Sequence, residues 1–174
     1  MDDGARRYSP AAQALHWSVA VLVLAVWPLG AVISFIVEDA KLTFYMLHES
    51  LGLLILWLML ARLAVRLLRR PPAALPMQDW ERRLAATVHV SLYVCLLVQP
   101  VLGFLATNAF GFPLDWFWLV PIPSPIGEDP VLAPCLMTAH VAVGYAILVL
   151  FLLHMAGIFY HRLILHDRQI ERMI

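Results

Sequence analysis

The chain has 174 residues, of which 62% are hydrophobic and only 14% charged, with a mean hydropathy of +0.80. Soluble domains run about 45–50% apolar and about 25% charged, so this composition excludes an ordinary soluble domain and a disordered chain alike. Twelve basic residues balance twelve acidic ones, which gives no basic footprint for nucleic acid, and two cysteines without a CxxC spacing supply neither a disulfide framework nor a zinc knuckle.

Asp, Glu, Lys and Arg are missing from Tyr8 to Val37, from Leu84 to Leu114 and from Pro130 to His161. A membrane span needs about 20 apolar residues, so each run holds one helix with its interfacial ends. The predicted spans are Ala11–Ile36, Leu42–Leu68, Leu84–Thr107 and Leu132–Tyr160. The second is bounded by Glu49 toward one end and by Arg62 and Arg66 at the other, where long arginine stems reach the interface. The expected fold is an all-α integral membrane protein: a four-helix, up-down bundle forming a single unit over residues 1–174, in contact with the lipid bilayer. The first apolar run is too long for a cleaved signal peptide.

Arginines set the orientation. Arg6 and Arg7 precede the first span. Arg62, Arg66, Arg69, Arg70, Arg82 and Arg83 surround the second connection, and Arg162, Arg168 and Arg172 follow the last span. Only Lys41 lies elsewhere, so both termini are expected in the cytoplasm. Pro71, Pro72 and Pro76 stiffen the cytoplasmic connection. The third connection is expected to be a long, proline-rich outer loop whose aromatic residues, Phe112, Trp116, Phe117 and Trp118, rest at the interface.

Ionisable groups inside a bilayer are expensive and mark function, which singles out the histidines. His140 and His154 share the fourth helix. Fourteen residues turn through 1400°, 40° short of four full turns, so both rings face one way about 21 Å apart. His48 matches His140 in depth near the outer side, and His16 matches His154 near the inner side. Two imidazoles at equal depth on neighbouring helices suit the axial positions of haem iron, in the core of a four-helix bundle. Gly52, Gly144 and Gly157 follow their histidines by three or four residues and leave room for a flat ring. With no CxxCH, the expected cofactors are two b-type haems, and the expected iron ligands are His16, His48, His140 and His154. Filled axial positions favour electron transfer over oxygen activation.

His89 stays open between a substitute ligand for the inner haem, a hydrogen bond to a quinone carbonyl, and packing. Glu49 is expected to be an interfacial carboxylate. Cys95 and Cys135 are expected to be buried, and Trp17, Trp27, Trp57 and Trp80 to anchor the interface or pack on rings. Arg7, Arg83 and Arg162 are candidates to pair with haem propionates. A zinc site would need ligands clustered at one depth, and a proton relay more acids than Glu49.

Several local patterns recur together: Tyr8-Ser9 before His16-Trp17, Met46-Leu47-His48, Arg62-Leu63 with Arg66-Leu67, His89-Val90 with Tyr93, Pro100-Val101-Leu102-Gly103, and His140 with Gly144-Tyr145 before His154. In that order the chain resembles the bacterial dihaem cytochrome b561 family, related to the cytochrome b subunits of hydrogenases and formate dehydrogenases. The resemblance covers nearly the whole chain. It implies the cross-pairs His16–His154 and His48–His140, a bacterial inner-membrane location and a quinone-linked oxidoreductase, with ubiquinone as substrate and superoxide or a redox protein as partner. Superoxide is an anion, and the outer loops carry Glu38, Asp39, Asp115, Glu128 and Asp129 against Lys41, which favours electron transfer in general over superoxide collection. Two other expectations stand beside it: a haem-bearing membrane anchor of a larger dehydrogenase or hydrogenase, and a haem-free transporter or structural bundle.

Overall fold

The computed structural model of the protein describes residues 7–69, 72, 76–167 and 169–174. Arg6, Arg70, Pro71 and Arg168, named above for topology and for the cytoplasmic turn, lie outside the described residues. Four long helices alternate in direction: α1 (Pro10–Val32), α2 (Glu38–Leu68), α3 (Asp79–Ala109) and α4 (Leu132–Phe159). All four are long and apolar enough to cross a membrane. α3 lies against α4, α1 against α2 and α2 against α3.

Local chemistry sets the helix ends. Ser9 caps α1 by accepting the Ala12 N–H, and Pro10 needs no intrahelical donor at its first position. Gln78 and Glu81 form a reciprocal capping box on α3, the Gln78 N–H donating to Glu81 at 2.9 Å. α2 starts four residues before the expected Leu42 and α3 five before Leu84. Charged residues in a first turn (Glu38, Asp39, Asp79 and Glu81) continue a helix into water as readily as apolar ones in lipid, and they favour its positive end.

The burial pattern is that of a protein in lipid. Val21, Leu24, Trp57, Val94 and Tyr145 are exposed around the outside of the bundle. The core is thin: Val19 and Val26 of α1 with Ile55 and Met59 of α2, flanked by Tyr93 and Leu96 of α3. It forms an apolar layer at mid-bundle. Cys135, expected inside, is exposed near the start of α4, and Cys95 is half-buried. For an apolar-behaving thiol, lipid satisfies what a core would.

The outer loop is more ordered than a proline-rich connection suggests. Asp115–Trp116 (β1) pairs antiparallel with Val120–Pro121 (β2). Beyond α4 a wide turn covers Tyr160–Ile164, and a short 3₁₀ turn, Ile170–Arg172, ends against α1. There Arg172 accepts the Tyr8 N–H at 3.0 Å, and Met173 accepts the Trp17 indole at 2.8 Å.

Candidate functional site

All four helices repeat one interval. His16 and Gly30, His48 and Arg62, His89 and Gly103, and His140 and His154 are each fourteen residues apart within one helix. That interval brings both members to nearly the same helix face, about 21 Å apart. Because the helices alternate in direction, the eight residues fall into two layers. The layer on the side expected to face outward, here the outer layer, holds Gly30, His48, Gly103 and His140, and the other, here the inner layer, holds His16, Arg62, His89 and His154.

In the outer layer the His48 and His140 rings stand 6.1 Å apart between centroids, nearly perpendicular. Each rests on a glycine of the neighbouring helix. A β-carbon on Gly30 would meet His48 Cε1 at 2.6 Å, and one on Gly103 would meet His140 Cε1 at 2.8 Å. Each ring also reaches a carbonyl one turn before that glycine. His48 Nδ1 lies 3.1 Å from the Val26 oxygen and His140 Nδ1 lies 3.0 Å from the Gln99 oxygen. A carbonyl only accepts, so both ring protons sit on Nδ1 and the Nε2 lone pairs are the ones a metal would use, that of His140 once the Gln99 amide releases it.

These rings open on a cavity of about 410 Å³, lined also by Tyr45, Glu49, Gly52, Thr107, Leu114 and Gly144. The size is ordinary for a cofactor pocket. Nothing would touch a β-carbon on Gly52 within 4 Å, so it borders open space as expected. Gly144 instead makes room for the Gln99 side chain, whose amide nitrogen lies 3.3 Å from His140 Nε2. Gln99 Oε1 is buried with no hydrogen-bond partner among the described residues. Glu49, expected at the interface, instead lines this cavity, half-buried.

The inner layer is built differently. His16 and His154 stand 6.3 Å apart between centroids, and His89 stands 5.1 Å from His154. His89 is the exposed member of this trio, while the other two are half-buried. Arg62 lies 2.7 Å from His16 Nδ1 and donates from Nε to the Tyr93 hydroxyl at 2.9 Å. Both Arg62 and Arg66 also lie over the Tyr93 ring, at 5.3 and 5.4 Å. A guanidinium cannot accept, so His16 Nδ1 accepts and a neutral ring carries its proton on Nε2, the reverse of the outer pair. Trp17 packs edge-on against His16 at 5.4 Å. A β-carbon on Gly157 would meet nothing within 4 Å.

The arginines suggested for carboxylate pairing are elsewhere. Arg7 and Arg83 are exposed, and Arg162 faces Glu171 at 3.7 Å. The cations at the inner site are Arg62 and Arg66, two of the arginines expected to set the orientation. His161 is tied to Asp167 at 2.5 Å and His166 is exposed, so neither joins a layer. Among the remaining aromatics, Trp27 donates to the Gly144 carbonyl at 2.8 Å and so braces α1 on α4. Trp57 and Trp80 are exposed.

The donor chemistry fits haem. Two imidazoles gripping one metal from opposite sides, each nitrogen about 2 Å from it, have ring centres about 6 Å apart. Both pairs have that separation. The outer pair also borders a cavity walled by glycine, with the Gln99 amide at His140 Nε2 to be displaced. At the inner pair the same fit requires the His16 Nε2 proton to leave. Among the described residues no three His, Cys, Asp or Glu side chains converge as a tetrahedral zinc site needs.

Comparison with known proteins agrees with this chemistry. The family model described as prokaryotic cytochrome b561 matches residues 7–174. The chain is similar to "Cytochrome b561 homolog 2" of Escherichia coli (strain K12), 27% identical over 177 residues covering 97% of this chain and 91% of the relative. It is also similar to "Probable superoxide oxidase CybB" of Yersinia pestis, 25% identical over 170 residues covering 97% and 96%.

Proposed function

The chain belongs to the prokaryotic cytochrome b561 family, and from that premise we propose that it holds two b-type haems and passes electrons between the outer face of the bacterial inner membrane and a quinone. Membership makes it a multi-pass bacterial membrane protein that binds b-type haem and transfers electrons. The proposal adds the number of haems, the ligands and the partner.

His48 and His140 are the ligands toward the outer face, and His16 and His154 those toward the cytoplasm. The observation that carries this reading is the outer pair: two rings 6.1 Å apart whose Nδ1 atoms are both committed to backbone carbonyls. Haem held by these histidines would supply a one-electron carrier. The chain's own residues orient the rings, through Val26 and Gln99, and keep water out with the layer of Val19, Val26, Ile55 and Met59. Arg62 and Arg66 offer positive charge where the carboxylates of a bound ring, or a reduced quinone, would need it.

His89 is the residue proposed to meet the quinone. It is exposed, it touches the inner pair, and its imidazole can hydrogen-bond a quinone carbonyl. Ubiquinone is the substrate class the reading favours. Superoxide as donor is a second reading, favoured by the name of the Yersinia pestis relative. The outer charge opposes it, because the lone outer cation, Lys41, is already bound to Glu38 at 2.5 Å.

The test is to mix purified oxidised protein with ubiquinol in nanodiscs and follow the appearance of the reduced b-haem spectrum. Wild type is expected to reduce rapidly. His89→Ala is expected to reduce at least tenfold more slowly with quinol, yet fully with dithionite. Equal quinol rates in the two proteins would remove His89 from the quinone site. Quinone reduction driven by a superoxide-generating system checks the second reading.

A further inference from the structure

Two pairs of residues, each one helical turn apart, meet where α2 packs on α3. Arg62 and Arg66 are four residues apart on α2, and His89 and Tyr93 four apart on α3, so each pair shares one helix face. Tyr93 joins the pairs. Its hydroxyl accepts the Arg62 Nε proton at 2.9 Å, and both guanidiniums lie over its ring, at 5.3 and 5.4 Å. Arg62 is fixed at its other end by His16 Nδ1 at 2.7 Å, and His89 stands 5.1 Å from His154. The four side chains form one polar cluster beside the inner histidines.

One hydrogen-bonding group in this cluster is only half used. A phenol both accepts and donates. Arg62 takes the accepting side of Tyr93, because a guanidinium can only donate. The Tyr93 hydroxyl proton then has no acceptor among the described residues. The two guanidiniums, one of them bonded to the oxygen itself, polarise the phenol, so this proton is offered more strongly than that of an isolated tyrosine.

The cluster is also reachable from lipid. α3 is long and apolar enough to cross the membrane. His89 is exposed and Tyr93 half-buried, and beside them Val90 and Val94 are 59% and 54% exposed. Four residues rise about 6 Å along a helix. A six-membered ring with two opposed carbonyls has a comparable span and can turn one oxygen toward each side chain. A carbonyl oxygen only accepts, which is what the unused proton needs.

We propose that Tyr93 is the second hydrogen-bonding residue of the quinone site: its hydroxyl donates to one carbonyl of the head group while the His89 imidazole donates to the other. The assignment rests on His89 meeting the quinone, as proposed above. Arg62 is the positioning residue, because its bond to the Tyr93 oxygen sets where the remaining proton points.

The test is infrared difference spectroscopy of the haem-loaded chain in nanodiscs. Ubiquinone carries a heavy carbon isotope at one carbonyl or, separately, at the other, so each carbonyl band is read alone. A donated hydrogen bond lowers a carbonyl's stretching frequency, so wild type is expected to show both bands below those of free quinone. Tyr93→Phe keeps the ring beneath the guanidiniums. It is expected to return one band to the free position, with haem content unchanged, and His89→Ala to return the other. A ring-fluorinated tyrosine in place of Tyr93, a stronger donor of nearly the same size, should lower the Tyr93 band further. If His89→Ala frees a band while Tyr93→Phe and the fluorinated residue move neither, the role of Tyr93 is overturned and the quinone site at His89 stands. Two free bands in wild type, or bands that no variant moves, would overturn both.

Discussion

His140 lies on Gly103 so closely that a β-carbon there would be 2.8 Å from the ring, and His48 stands in the same relation to Gly30 at 2.6 Å. The nearest atoms belong to rings that are also held by carbonyls on the glycine's own helix, so the rings cannot swing aside without losing those bonds.

Gly103→Ala and Gly30→Ala are therefore expected to harm the outer site although alanine favours a helix by about 1 kcal/mol. Forcing a methyl into a packed site costs about 1–3 kcal/mol. Haem content per chain, measured as the pyridine complex, is expected to fall from two toward one in either variant. Full content with an unchanged spectrum would show that the rings yield easily.

Arg62 places a positive charge against His16, and a charge next to a redox centre stabilises its reduced form. At an effective dielectric near 20, one charge beyond a ring's width contributes about 2 kcal/mol, which for one electron is roughly 90 mV. Arg62→Leu is expected to lower the midpoint potential of one haem by an amount of that order and that of the other, about 21 Å away, by less than half as much. Arg62→Lys should restore part of the shift. Potentiometric titration with spectral deconvolution checks this, and equal shifts in both haems would separate Arg62 from the inner site.

Trp17 touches His16 and donates its indole N–H to Met173 at 2.8 Å, so the last residues brace the inner layer. Trp17→Phe keeps the ring and loses the bond, worth about 0.5–1.5 kcal/mol. Inner haem is expected to leave at a lower temperature in a thermal melt followed by absorbance, with outer haem unaffected.

The depth and facing of His140 and His154 were legible in the sequence because helical periodicity within one segment fixes both. So were the four spans, since charge-free runs report directly on the membrane. The fourteen-residue interval was equally present on all four helices, but on three of them one partner is glycine or arginine. Those types are read by default as helix spacers or orientation signals, and this hid Gly30, Gly103 and Arg62. Spacing alone pairs Gly144 with the histidine of its own helix. It serves Gln99 on the neighbouring helix, a contact between segments that periodicity cannot reach. Glu49 and Ser50, which bonds Trp116 and Phe117, were missed for the same reason: what turns them inward is a neighbouring helix and a loop far away in sequence.

Haem stoichiometry in single-histidine variants tests the central claim most directly. Purified wild-type protein is expected to contain two b-type haems per chain, and His140→Ala and His154→Ala one each, with different reduced spectra because each keeps the opposite site. A wild-type preparation with no haem, or variants that both retain two, would contradict the assignment of His48–His140 and His16–His154 as paired ligands.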